Sequence, residues 1–130
     1  MMMGDESYAG SSSFFQLKET INRLTGFEFV IPTHQGRAAE NVLFSYLVKQ
    51  GDVVPGNSHF DTTKGHIESL KATSLNCTID EAKDTQLELP FKGNVDPKKL
   101  EKALQEHGDK IPFIIFTIMN NTAGGQPVSM

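Results

Sequence analysis

With 130 residues, 38% of them hydrophobic, the chain is long enough for one domain with its own core. Its 16 acidic and 12 basic residues give a net charge of −4, which leaves no basic field for a nucleic-acid partner. No apolar run approaches the roughly 20 residues of a membrane span, and the start Met1-Met2-Met3-Gly4-Asp5-Glu6 lacks both the basic and the apolar part of a signal peptide, so a cytoplasmic protein without a membrane partner is expected.

In chain order, Ser11-Ser12-Ser13 can cap a helix marked by Phe14, Leu17, Ile21 and Leu24, which Gly26 closes. Phe27-Glu28-Phe29-Val30-Ile31 alternates and then runs apolar, predicting a strand that Pro32 ends. From Arg37 to about Gln50, Ala38, Val42, Leu43, Tyr46 and Leu47 make the apolar stripe of a second helix, stopped by Gly51. Asp52-Val53-Val54-Pro55 is a second strand, and residues 56–66 form a polar loop containing Phe60 that leads into a short helical stretch through about Ala72. The run 73–79 is a third strand carrying the lone Cys77, which excludes an internal disulfide or a cysteine zinc site. A buried, inert thiol is expected there, the alternative being a reactive one.

Residues 80–95 are polar and irregular, as a surface connection would be, with Pro90 and Gly93 as punctuation. Asp96-Pro97 then supplies the cap and first-turn proline of a helix carrying Leu100, Ala103 and Leu104, ended by Gly108. Residues 112–119 are almost continuously apolar, which predicts the most buried strand of the sheet. The histidines His34, His59, His66 and His107 have neither a zinc-protease spacing nor a cysteine-histidine cluster, so metal catalysis is not expected.

Strands alternating with helices imply right-handed crossovers and an α/β fold built on a parallel, three-layer sheet. Ligands collect beyond the carboxyl ends of such strands. Three polar loops fall there: 34–37, 59–63 and 120–127. Residue 130 lies just past a glycine-rich turn where a further helix is expected, so the chain is expected to stop within a domain and to expose an apolar sheet edge.

The run Ile31-Pro32-Thr33-His34-Gln35-Gly36-Arg37-Ala38-Ala39-Glu40 has the chemistry of a phosphate cradle. A helix start leaves backbone N–H groups without partners and its dipole favours an anion. Gly36 permits close backbone approach, Arg37 adds a permanent charge and Gln35 offers neutral hydrogen bonds. The plainer alternative is strand-to-helix punctuation.

Taken together in this order, residues 2–11 (Met-Met-Gly-Asp-Glu-Ser-Tyr-Ala-Gly-Ser), residues 31–40, His59-Phe60-Asp61-Thr62-Thr63 and Ala123-Gly124-Gly125-Gln126-Pro127-Val128-Ser129 resemble the β-eliminating lyases, tryptophanase and tyrosine phenol-lyase. The resemblance spans nearly the whole chain. It implies an aspartate-aminotransferase-type (fold type I) enzyme that uses pyridoxal 5′-phosphate. It also implies a tetramer that needs a monovalent cation such as potassium, and cleavage of an aromatic amino acid to pyruvate, ammonia and an aromatic product. Residues 1–13 would be an amino-terminal active-site and cation segment, and 14–130 the first part of the cofactor-binding large domain.

By the same resemblance Gln35, Gly36 and Arg37 hold the cofactor phosphate, and Phe60 stacks on its ring, where the plainer role is a core plug. Asn121 bonds the ring oxygen, with Asn120 beside it as a turn former. Tyr8 is the general acid towards the leaving group, otherwise a surface residue, and Glu6 is a cation ligand, otherwise a solvated charge. Asp61 stands where tryptophanases carry Asp and tyrosine phenol-lyases Thr, which leans towards tryptophan.

The family's cofactor-anchoring lysine, its pyridine-pairing aspartate and its substrate-carboxylate arginine have no counterpart here, and neither Lys64 nor Lys71 stands in the catalytic motif. Ser12 occupies a position where the family often has Arg. Alone, the chain is therefore expected to be inactive. Three expectations follow: part of a tryptophanase, a module pairing with a longer lyase subunit, or a phosphate-ligand binder without catalysis.

Overall fold

The computed structural model describes residue 5 and residues 10–129. Two compact units emerge, Met1–His34 and Gln35–Met130. The first is built on α1 (Ser12–Thr25). Ser11 caps it, its hydroxyl accepting the Phe14 N–H at 3.2 Å, and Gly26 ends it in the left-handed region at φ 77°. The Ser13 hydroxyl and N–H, bonded to Asp5, hold that carboxyl below its usual range.

The strand expected at Phe27–Ile31 is absent. Phe27, Phe29 and Ile31 are exposed, Ile31 at 85%, and no described residue pairs with the segment. Alternation gives a chain the right faces for a sheet, but only a neighbouring strand supplies the ladder bonds that make it one.

The second unit centres on β1 (Val53–Gly56), buried along its whole length. It pairs in parallel with β2 (Thr73–Asn76), Val53 opposite Thr73 and Gly56 opposite Asn76. On its other side Gly56 makes a parallel bridge to Ile115, whose N–H donates to the Pro55 carbonyl at 3.0 Å. The order is therefore β2, β1, then the segment around Ile115. This mixed α/β unit carries a small parallel sheet.

The run 112–119 is a second correction, since a bridge at Ile115 and a short pairing at Met119 replace the expected most buried strand, and Phe116, Ile118 and Met119 are 57–69% exposed. Among the described residues its only ladder partners are Gly56 at Ile115 and Pro127 at Met119, so most of the run has no strand beside it. The most buried strand is β1 instead.

Helix α2 (Gly36–Leu47) ends three residues before Gln50, and Gly51, at φ 88°, makes the turn into β1. Helix α3 (Asp61–Ser69) starts inside the predicted loop, because Phe60 is extended and Asp61 complements the first-turn dipole. Phe44, Val48, Val54, Ile67 and Ala72 form the core, with Phe113 stacked on Phe44 at 5.4 Å. Cys77 is buried, and burial pushes its thiol pKa up, so it packs as an inert hydrophobe.

Beyond a 3-10 turn at Asp80–Lys83, helix α4 (Pro97–His107) begins as expected. The Asp96 carboxylate accepts the Lys98 N–H at 2.8 Å. Two residues of β3 (Met119–Asn120) pair antiparallel with β4 (Gln126–Pro127) across a glycine-bearing turn.

Candidate functional site

Because α2 precedes β1 and α3 follows it, both helices run against the strand and start at its carboxyl end. Thr63, in the first turn of α3, donates its hydroxyl to Glu40 Oε1 of α2 at 2.6 Å. Gly36 lies four residues before Glu40 and Phe60 three before Thr63, so each helix start is roughly 5 to 6 Å along its axis from this bond. Two positive dipole ends therefore lie side by side.

At the first of them, Gln35 is extended and its carbonyl accepts the N–H groups of Ala38 and Ala39. Among the described residues the N–H groups of Gly36 and Arg37 donate to no backbone carbonyl. A Cβ at Gly36 would find nothing within 4 Å, and the Arg37 side chain is exposed. Open donors, open space and a fixed positive charge fit a phosphate dianion.

At the second, Phe60 is 39% exposed and borders a groove of about 530 Å³ with Glu40, Phe44, Thr63, Phe113 and Thr117. A half-open ring beside helix starts suits a flat heteroaromatic ligand better than a core plug would. Asp61 is also exposed but faces a different, polar cleft of about 210 Å³, shared with Ser58, His59, Lys64, Asn76 and Thr122. Neighbours in sequence, Phe60 and Asp61 thus serve opposite sides of the α3 start.

Asn121 is exposed in the turn after β3, its carbonyl accepting the Gly124 N–H at 3.0 Å. Asn120 is fully buried. The Thr122 hydroxyl donates to the His59 carbonyl at 3.3 Å, which joins this turn to the β1–α3 loop. Gln35, Gly36, Arg37, Phe60, Asp61 and Asn121 therefore all stand beyond strand ends of one unit, where the sheet order places β2 and the Ile115 segment on opposite sides of β1. Tyr8 and Glu6 lie outside the described residues.

The roles of several residues, some of them inside the loops already marked, escaped the sequence pattern. His59 is buried with Nε2 unpartnered, and burial pushes its pKa below the ordinary histidine value. Ser58 holds φ at 63°, a left-handed conformation that a non-glycine residue rarely keeps. Glu40, Thr63 and Asn57 carry the bonds that join the elements. The available signal was Glu40, one helical turn past the cradle on the same face.

The model of the family described as β-eliminating lyase matches residues 1–130. The chain belongs to the β-eliminating lyase family. It is 80% identical over 130 residues to a probable β-eliminating lyase of Trichomonas vaginalis, a match that covers all of this chain and 28% of that protein. It is 54% identical to a tyrosine phenol-lyase of Pasteurella multocida and 50% identical to a tryptophanase of Hyphomonas neptunium, each match covering all of this chain and 29% of the relative. The chain thus spans less than a third of the length of these curated lyases. Overall identity is similar for the two activities, so any distinction between them falls to individual residues.

Proposed function

We propose that this chain forms part of the pyridoxal 5′-phosphate site of a tryptophanase-type lyase, within the large domain of a fold-type I enzyme. The observation that supports it is the Thr63–Glu40 bond, which sets the open start of α2 beside Phe60. Gly36 and Arg37 donate to the phosphate, with the Gln35 carboxamide beside them, and Phe60 covers one face of the ring. When bound, the cofactor supplies an electron sink for the amino acid's α-carbon. Asn121 donates to the ring oxygen from its exposed turn.

On the substrate side, the Asp61 carboxylate accepts the indole N–H and Tyr8 delivers a proton to the departing aromatic carbon. Glu6 contributes an oxygen to a potassium ion. The complete reaction takes L-tryptophan and water to indole, pyruvate and ammonia in a tetrameric cytoplasmic enzyme. This chain supplies no lysine at the catalytic motif, so turnover belongs to the assembled enzyme. Tyrosine phenol-lyase is the alternative activity, and Asp61 is what argues against it.

Titration of the chain with pyridoxal 5′-phosphate tests the cofactor site. Saturable binding is expected, weakened about ten- to a hundredfold by Arg37→Ala, the size of one charge-assisted contact. No saturation up to millimolar ligand, or equal binding by the variant, would remove it.

Exposed Phe116, Ile118 and Met119 favour a second reading, in which the chain pairs with a longer lyase polypeptide through this apolar edge. Co-purification with such a chain would support it, and a monodisperse monomer beside that chain would count against it.

A further inference from the structure

Two buried carboxamides join the loop that carries Phe60 to the turn that carries Asn121. Asn57 is 1% exposed and directly follows β1. Its Oδ1 accepts the Thr117 N–H at 2.7 Å and its Nδ2 donates to the Thr117 carbonyl at 2.8 Å. One side chain thus satisfies both backbone groups of Thr117, two residues past the point where the parallel bridge of Gly56 and Ile115 ends. Nδ2 also donates to the Gly93 carbonyl at 2.8 Å, which uses the second amide hydrogen.

Asn120 closes the circuit. Its Nδ2 donates to the Asn57 carbonyl at 2.6 Å and its Oδ1 accepts the Ala123 N–H at 3.1 Å, with no exposed surface. The Gly125 N–H donates to the Asn120 carbonyl at 2.9 Å. One residue thus folds the 120–123 turn and ties it to the loop three residues before Phe60. Both amides are oriented by the donor-acceptor pattern, and reversing either would set donor against donor.

We propose that Asn57 and Asn120 are the positioning residues that fix the spacing between Phe60 and Asn121, a role that rests on the cofactor assignment above for its consequence but not for its geometry. Both side chains are buried beneath the loops and spend their bonds on backbone groups. They act by holding two loops that, among the described residues, are otherwise joined by the 3.3 Å bond from Thr122 to His59. Every side-chain nitrogen and oxygen of these two buried amides has a partner, and loss of one partner strands the others without water.

Amide hydrogen exchange on the full chain, with pyridoxal 5′-phosphate titration of the same samples, tests this. Asn120→Ala is expected to speed exchange about tenfold or more at Ala123, bonded directly, and at Thr117, reached only through Asn57. Asn120→Asp, equal in shape, keeps the acceptor for Ala123 and loses the donor to Asn57. It should speed Thr117 while leaving Ala123 protected, and it serves if the alanine variant fails to fold. Both variants should weaken cofactor binding and shift its absorption band as Asn121→Ala does. Faster exchange at Ala123 alone would make Asn120 a turn former and overturn the coupling. Coupled exchange with unchanged affinity and spectrum, in a chain that binds the cofactor, would overturn the positioning role. If the parent chain binds no cofactor, the site assignment falls, while the exchange pattern still decides whether the two loops are held as one.

Discussion

Thr63 on α3 gives its hydroxyl proton to Glu40 on α2 across 2.6 Å, and the other oxygen of the same carboxylate stands 3.5 Å from His66 Nδ1. One side chain therefore faces two residues of the other helix that lie three positions apart. Thr63→Val removes the donor while keeping the shape, and Glu40 is open enough to take water in its place. A loss of about 1 kcal/mol is expected, less than for a fully buried charged bond. Glu40→Ala, which frees both contacts, should cost about 1 to 2 kcal/mol. Urea unfolding reads both, and an unchanged midpoint in either would show that the helix starts are held by apolar packing alone.

Two glycines should respond with opposite signs. A Cβ at Gly56 would sit 2.7 Å from the Ile115 carbonyl oxygen and 3.1 Å from His59 Nε2. The oxygen is backbone and cannot swing aside, so Gly56→Ala should cost about 1 to 3 kcal/mol and open the bridge to Ile115 first. Gly65, inside α3 with nothing within 4 Å of a built Cβ, wastes helix propensity. Gly65→Ala should stabilise by about 0.5 to 1 kcal/mol. Matched urea titrations, with exchange at the Ile115 amide, check both.

What could be read from the sequence was what neighbours in the chain decide. Ser11 and Asp96 cap helices, Gly26 and Gly108 end them, and the cradle at Gln35–Arg37 is a helix start because each depends on bonds within a few residues. Phe27–Ile31 and 112–119 were misread because strandedness comes from a remote partner that local alternation cannot reveal. Phe60 and Asp61 were read as part of one polar loop, whereas they form the start of α3 and border two different clefts. The bonds that assemble the site link residues 23, 60 and 63 positions apart; Glu40 at least follows the cradle by one turn, but nothing local marks Asn57 or Asn120 as their ends.

Asp61 should govern the choice of aromatic substrate in the assembled enzyme. It lines the polar cleft that also holds Thr122, next to Asn121, and it is exposed to whatever enters there. Asp61→Thr is expected to lower kcat/KM for tryptophan about tenfold or more, the size of a lost hydrogen bond to a charged group, and to spare S-alkyl cysteines, which have no indole N–H. Loss of the first-turn carboxylate also weakens α3 by about 0.3 to 1 kcal/mol, so Tm is measured beside activity. Equal losses on both substrate types would assign the effect to the helix and not to recognition.

His59 should make the chain sensitive to mild acid. Its ring is buried with Nε2 unpartnered, and burial, reinforced by nearby Lys64, holds its pKa below the ordinary 6.5 against the pull of Glu68 and the Val54 backbone. The unfolded chain takes up this proton near 6.5 and the folded chain only at lower pH. Between those values the unfolded state binds more protons, so stability is complete above 6.5 and declines as pH falls towards the folded value. Urea titrations between about pH 7.5 and about pH 5.5 bracket the range. His59→Phe, which removes both the proton and the unpaired nitrogen, should hold or gain stability at the upper end and flatten the decline. An equally steep decline in the variant would place the acid sensitivity on another group.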